Sequence, residues 1–165
     1  MDCEKIINIE CERFMMTYEG KISFLQIFTE KGKPGEKHDI IYLEEGKGIS
    51  GDRHADGGDR QISILLTEVR EWMKEQEEPG LCFRRYKENI RIAGVKPERL
   101  QEGTRLQIGT CELEITGFGK RCFPECRYVS AGKDCVLLHG AFYARVVRSG
   151  RIEVNDRVIC MQKNA

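Results

Sequence analysis

No apolar run in this chain approaches the ~20 residues that a bilayer-spanning helix needs, so a helical membrane protein is excluded. A surplus of charge is missing too, since Lys+Arg and Asp+Glu each number 27. General nucleic-acid binders carry a basic excess because phosphate neutralisation supplies their affinity, and that class drops out as well. The start, Met1-Asp2-Cys3-Glu4-Lys5, lacks a basic segment leading into an apolar one, so no export signal is read there. Internal repeats, low-complexity tracts and linker-like stretches are also absent. What remains is an ordinary globular composition, 33% charged over 165 residues, a length that suits one core better than two. One domain over 21–161 is expected, with residues 1–20 as an N-terminal extension whose structure the pattern leaves open. The 8 cysteines, without an export signal, point to reduced thiols and a cytoplasmic setting.

Short apolar runs separated by turn residues dominate the chain. Lys21–Thr29, Asp39–Leu43 and Gln61–Leu66 read as strands, as do Arg105–Ile108, Cys111–Thr116, Val136–Leu138, Phe142–Val147 and Arg157–Met161. One convincing helix runs from Glu68 to about Glu77, with Thr67 as its cap and Pro79-Gly80 at its end. Val69, Trp72 and Met73 share a face of that helix, which makes Trp72 a core anchor. Many short strands with one to three short helices predict a mainly β domain, a β-barrel or a sandwich.

Four groups of residues carry candidate chemistry. Gly51-Asp52-Arg53-His54-Ala55, followed by Gly58-Asp59-Arg60-Gln61, sets glycines among arginines and a histidine. Such a loop either holds an anion through backbone N–H groups and guanidiniums or is a solvated loop closed by an Asp–Arg pair. Asn89, after Glu88 and before Ile90, is either a backbone clamp or a side chain reaching into a barrel mouth. Cys122, Cys126 and Cys135 follow a C-x3-C-x8-C spacing. From Lys120 to Arg151 there are seven Lys/Arg against only Glu125 and Asp134, and cations favour a thiolate. Three readings stand for this set: a reactive Cys122 thiolate, a zinc site completed by His139, or inert buried thiols. Arg145, inside Phe142–Val147, needs solvent or an anion, and period-two alternation places it opposite Phe142, Ala144 and Val146.

Taken in order, these residues resemble the MOSC domain family, named for the C-terminal domain of molybdenum cofactor sulfurase. The resemblance runs through Gly48-Ile49-Ser50-Gly51-Asp52-Arg53-His54-Ala55, Arg60-Gln61-Ile62-Ser63 and Glu88-Asn89-Ile90. It continues through Gly103–Gly109, Gly119-Lys120-Arg121-Cys122 and Gly140–Val146, and closes with Gly150-Arg151-Ile152 and Asn155–Val158. It covers about Lys21 to Cys160 and is nearest the short bacterial stand-alone type, in which Cys126 and Cys135 accompany Cys122. The resemblance implies a MOSC-type β-barrel and a Cys122 that ligates molybdenum in the molybdopterin cofactor or carries sulfur. It further implies a pterin phosphate anchored by Arg53, His54, Arg60, Lys120 and Arg145, with Asp52, Gln61, Ser63 and Asn89 completing the cofactor-binding set. Two roles follow, cofactor maturation or a small molybdenum-dependent reduction of N-hydroxylated compounds. The implied partners are a cysteine desulfurase or a molybdoenzyme, with an electron-transfer protein for reduction. A sulfur carrier and a non-catalytic zinc- or partner-binding barrel are the other readings.

Overall fold

The computed structural model of the chain describes residues 14–119 and 122–163. Eleven strands and three short helices succeed one another among them. The strands are β1 (Phe14–Ile27), β2 (Glu36–Lys37), β3 (Ile40–Glu44), β4 (Gly48–Ile49), β5 (Ile62–Leu66), β6 (Ile90–Ala93), β7 (Arg105–Ile108), β8 (Cys111–Phe118), β9 (Ala141–Arg148), β10 (Gly150–Glu153) and β11 (Arg157–Lys163). The helices are α1 (Thr67–Glu75), α2 (Arg127–Ser130) and α3 (Leu137–Gly140).

Seven strands close a barrel in the order β11-β7-β8-β9-β5-β6-β1, and β1 returns to pair with β11. Closure leaves no free edge among these seven, which is how an antiparallel sheet avoids edge pairing with other chains. The parallel pair β5–β6 is the exception to the antiparallel pattern, and α1 sits in its crossover connection. A small sheet, β10-β3-β4, stands beside the barrel, and β2 extends β1. The interior is filled by alternate residues of each strand, including Ile22, Ile62, Ile64, Ile90, Ile92, Leu106, Leu113, Phe142 and Val158, all 1% exposed or less. Burying such branched side chains away from water is the main stabilising term.

Three differences from the sequence expectations have physical causes. β1 begins at Phe14, ahead of Lys21, because residues 14–21 find a full antiparallel partner in β11. Val136–Leu138 is not a strand but the opening of α3. Its N–H groups close back on Cys135 and Val136 within one turn, and Leu137 turns inward. Thr67 is the first residue of α1 rather than its cap, because its hydroxyl is engaged by Ser23 Oγ at 2.6 Å. Leu66 takes the N-cap position while still in extended geometry. α1 then presses Val69 and Met73 on the barrel and holds Trp72 against Phe83 and Tyr128, with ring centroids 5.5 and 6.0 Å away. At Gly140 a Cβ would lie 2.2 Å from Val69 Cγ2, so only glycine lets α3 approach α1 this closely.

A basic cavity and a thiol lobe

The loop after β4 turns inward at Gly51, where φ is +86°, a conformation that glycine adopts without strain. Asp52 is thereby carried into the interior, and its side chain is fully buried. Its carboxylate accepts from Phe28 N at 2.9 Å, His54 N at 2.8 Å, His54 Nδ1 at 2.9 Å and Asn89 Nδ2 at 2.9 Å. A buried carboxylate is tolerated only when its lone pairs are met in this way. With Nδ1 bonded to Asp52, the His54 ring leaves Nε2 toward the outside of the loop.

Asn89 is the second clamp. Its Oδ1 accepts from Ser63 N and Ser63 Oγ, both at 3.1 Å, and its Nδ2 reaches Gln26 O as well as Asp52. Lys87 O lies 2.9 Å from the same Ser63 Oγ, so the one hydroxyl proton is shared between it and Asn89 Oδ1. Gln61 is buried and accepts from Val146 N at 2.9 Å, tying the start of β5 to β9. Asp52, Asn89 and Gln61 thus spend their hydrogen-bonding capacity on holding β1, β5, β6, β9 and the loop in register.

These clamps support a cavity of about 400 Å³ on the outer face of the barrel wall. Ser63 and Tyr143, partners across β5–β9, form part of its floor on the face opposite Ile62, Ile64 and Phe142. Arg53, Arg60, Arg85, Lys33 and Lys87 line it beside His54, against one carboxylate, Glu30. Glu30 pairs with Lys33 at 2.6 Å. The Arg60 guanidinium stacks over the Tyr143 ring, 4.7 Å from its centroid. Burial pushes the Tyr143 phenol above its usual range, against the opposing pull of Arg60.

The arginines of this cavity differ from most others in the chain. Arg70, Arg91, Arg105, Arg127, Arg145, Arg148, Arg151 and Arg157 each hold a glutamate. Arg53, Arg60 and Arg85 line the cavity with no carboxylate partner among the described residues, and the same is true of Lys87. Cations gathered without counter-charge make the cavity locally positive, a field that attracts anions.

Beside this cavity, with Tyr86 in the wall of both, lies a smaller apolar lobe of about 50 Å³. Four cysteines line it, Cys82, Cys122, Cys126 and Cys135, among Phe83, Phe123, Tyr128, Val129, Leu137 and Leu138. The segment between β8 and β9 brings Cys122, Cys126 and Cys135 here. It is anchored by Arg127 to Glu78 at 2.6 Å and by the Phe83–Tyr128 contact at 5.6 Å. Arg85 stacks on Phe123, 5.5 Å from the ring centroid, and so joins the lip of one hollow to the lip of the other. Tyr86, buried, donates to Ile64 O at 2.9 Å, and burial drives its phenol well above the usual range.

The thiols are not equivalent. Burial raises the Cys126 pKa, but backbone hydrogen bonds at Leu81, Tyr128 and Val129, with Arg127 nearby, outweigh it and hold the thiol below its ordinary value. Cys135 is shifted up, first by burial and then by the neighbouring Cys122 and Cys126. Cys111 and Cys160 belong to the core, where burial pushes them to about 12 and about 11.

The sequence-predicted residues are therefore distributed over three places. Arg53, His54, Arg60, Gln61, Ser63 and Asn89 meet at the basic cavity, with Asp52 behind them. Cys122, Cys126 and Cys135 meet in the thiol lobe. Arg145 joins neither, for it points away from the core and pairs with Glu114 at 2.9 Å beside a shallow groove with Gly57 and Asp59. Lys120 lies outside the described residues. The glycine loop contributes Arg53 and His54 to the cavity rather than a nest of N–H groups, since Arg53 N, His54 N, Ala55 N and Gly58 N are bonded to Phe28 O, Asp52 Oδ1, Asp52 O and Asp56 Oδ1. The set Cys122, Cys126, Cys135 and His139 is not assembled as a zinc site: no three His, Cys, Asp or Glu converge as metal ligands among the described residues. His139 instead takes Asp134 at 2.8 Å. Arg85, Lys87, Tyr86 and Tyr143 escaped the sequence reading. The signal available was the run of cations Arg84, Arg85 and Lys87 just ahead of Asn89.

A small closed barrel with a basic cavity and an adjoining thiol lobe is the class of protein that the geometry defines. The chain belongs to the MOSC domain family, whose model matches residues 51–159. That family is associated with molybdenum-cofactor-related function. No curated protein sequence matches the chain. Among solved structures it is similar to the YuaD protein from Bacillus subtilis, at 18% identity and a TM-score of 0.69, covering 90% of this chain and 99% of that one. It is also similar to YiiM from Geobacillus stearothermophilus, at 15% identity and 0.60, over 87% and 75% of the two chains. YiiM from Escherichia coli follows at 15% identity and 0.56, over 90% and 72%. At such identities the likeness is one of fold. No helix among the described residues is long and apolar enough to cross a membrane.

Proposed function

We propose that this chain binds the molybdenum cofactor, with the cofactor's phosphate in the basic cavity and Cys122 as the thiolate ligand of the metal. The observation that carries the reading is the set of cations without carboxylate partners, Arg53, Arg60, Arg85 and Lys87, beside a lobe that holds Cys122. The lining fits the group in volume, in charge and in ligand type. A cavity of about 400 Å³ is within the ~300–1,000 Å³ range of small-molecule sites, and its charge is opposite to the cofactor's. A thiolate is also the soft ligand that such a metal prefers. The cofactor, once bound, supplies redox and sulfur chemistry at its metal. The chain's own residues bind and orient. Arg53 and Arg60 offer bidentate contacts to phosphate oxygens, Lys87 adds a point charge, and Asp52 holds His54 so that Nε2 is the nitrogen presented. Cofactor maturation and reduction of N-hydroxylated compounds are the two uses proposed, with a cysteine desulfurase, a molybdoenzyme or an electron-transfer protein as the corresponding partner.

The clustering of Cys122, Cys126 and Cys135 in one lobe favours a second reading, that of a sulfur carrier. A persulfide on Cys122, received from a desulfurase, would be attacked at the Cys122 sulfur by the Cys126 thiolate. A disulfide forms and hydrosulfide leaves. The test is analysis of protein produced in a host that makes molybdopterin. Molybdenum and pterin together in the wild type, with molybdenum lost in Cys122→Ala, support the first reading. Cyanide-releasable sulfur without metal or pterin rejects it in favour of the second.

A further inference from the structure

Large apolar side chains are exposed at four described positions, Tyr42, Leu81, Phe123 and Val129. Phe123 and Val129 line the thiol lobe, at 39% and 45% exposure, and Leu81 adjoins its wall between Gly80 and Cys82. Three of the four therefore gather at one small mouth. Scattered exposed apolar residues need no explanation, but their concentration around a hollow does. The hollow behind them is lined by Phe83, Tyr86, Tyr128, Leu137, Leu138 and Ala141, and Lys133 is its one charged lining residue. In the neighbouring cavity five cations face one carboxylate, so the two hollows select for opposite chemistry.

We propose that the lobe is a binding subsite for an uncharged apolar group, a short alkyl chain or the edge of a single aromatic ring, carried by the molecule on which the cysteines act. Its volume of about 50 Å³ admits only a few heavy atoms, since an apolar cavity of ~150 Å³ is what holds a whole benzene ring. A full ring therefore requires Phe123 to give way, and Phe123 is held by its stack on Arg85. Three side chains are far fewer than the ~20–30 residues a side of a stable protein interface, so the patch fits a small molecule better than a protein. The consequence is a division of labour, in which the basic cavity holds an anion and the lobe selects the apolar end of a substrate. That division rests on the cofactor reading, whereas binding by the lobe does not.

The experiment therefore uses metal-free full-length protein and 1,1,1-trifluoroethane, a probe of a few heavy atoms that the lobe can hold, read by ¹⁹F NMR, with trifluoroacetate as the charged control. Trifluoroethane should bind saturably and trifluoroacetate should leave the lobe untouched. Bound trifluoroethane should slow iodoacetamide labelling of Cys126 at least threefold. Val129→Asp, at a helix position that is 45% exposed, should weaken trifluoroethane at least tenfold while inorganic phosphate binding stays unchanged. Val129→Leu should retain binding. Absence of trifluoroethane binding to the wild type, equal binding to Val129→Asp, or labelling of Cys126 unaffected by the probe would overturn the proposal. A Val129-dependent change of oligomeric state on size exclusion beside absent probe binding would make the patch a protein contact instead. Absence of molybdenum and pterin from the cell-derived protein would reject the cofactor reading and leave these outcomes standing.

Discussion

The basic cavity and the thiol lobe share Tyr86 yet are built in opposite ways. The cavity sets loops after β1 and before β5 and β6 against a wall of β5 and β9, and it is braced by the buried Asp52 and Asn89. The lobe hangs on the segment between β8 and β9, which is tied down by aromatic contacts, short turns and the Arg127–Glu78 pair at the surface. A rigid wall suits charge recognition, where misplaced dipoles lose affinity. A segment with few barrel hydrogen bonds opens at a lower free-energy cost than the wall beside it.

If the cavity is the braced half, its brace should be costly to remove. Asp52→Ala leaves buried donors at Phe28, His54 and Asn89 without an acceptor, and it should destabilise the fold by about 3 kcal/mol in denaturant titration. An effect below ~1 kcal/mol would show that the loop is not held as described. Arg53→Ala and Arg60→Ala should leave stability alone. Each should weaken phosphate or pyrophosphate about tenfold, an effect that shrinks with added salt. Arg145→Ala is the internal control. It removes an exposed pair with Glu114, should change stability by at most ~1 kcal/mol, and should leave anion binding as it was.

The lobe offers the complementary test. Cys126, held below its ordinary pKa, should alkylate at neutral pH well before Cys111 and Cys160, which burial pushes to about 12 and about 11. Its rate should stop rising with pH below about 9, the ordinary thiol value, while those of Cys111 and Cys160 continue to climb. Half-exposed Cys122 should also label ahead of the two core thiols, as seen by mass-spectrometric time course.

Much of this was legible in the chain, and the parts that were not have a common cause. Short apolar runs between turn residues disclosed β5, β7, β8, β9 and β11, because each strand supplies buried side chains to a single core. The resemblance to the family names Arg53, His54, Arg60 and Asn89, and all four line one cavity. What the chain could not show was which side of a strand or loop each group faces. Asp52 reads as a loop carboxylate, yet it is buried, because Phe28 and Asn89, distant in sequence, supply its donors. Arg145 reads as a candidate anion ligand, but its partner is Glu114 across β8–β9. Cys126 reads as an accessory to Cys122, and its depressed pKa arises from backbone groups at Leu81, Tyr128 and Val129. Pairings between distant segments leave no local pattern to read.

The central claim is that cations left without counter-charge beside Tyr86 hold the cofactor's phosphate. The direct measurement is the pterin content of protein from a molybdopterin-producing host, compared between wild type and the Arg53→Glu/Arg60→Glu double variant at equal folded yield. The account predicts near-stoichiometric pterin in the wild type and less than a tenth of that in the variant. Equal pterin in both, or none in the wild type, would contradict it.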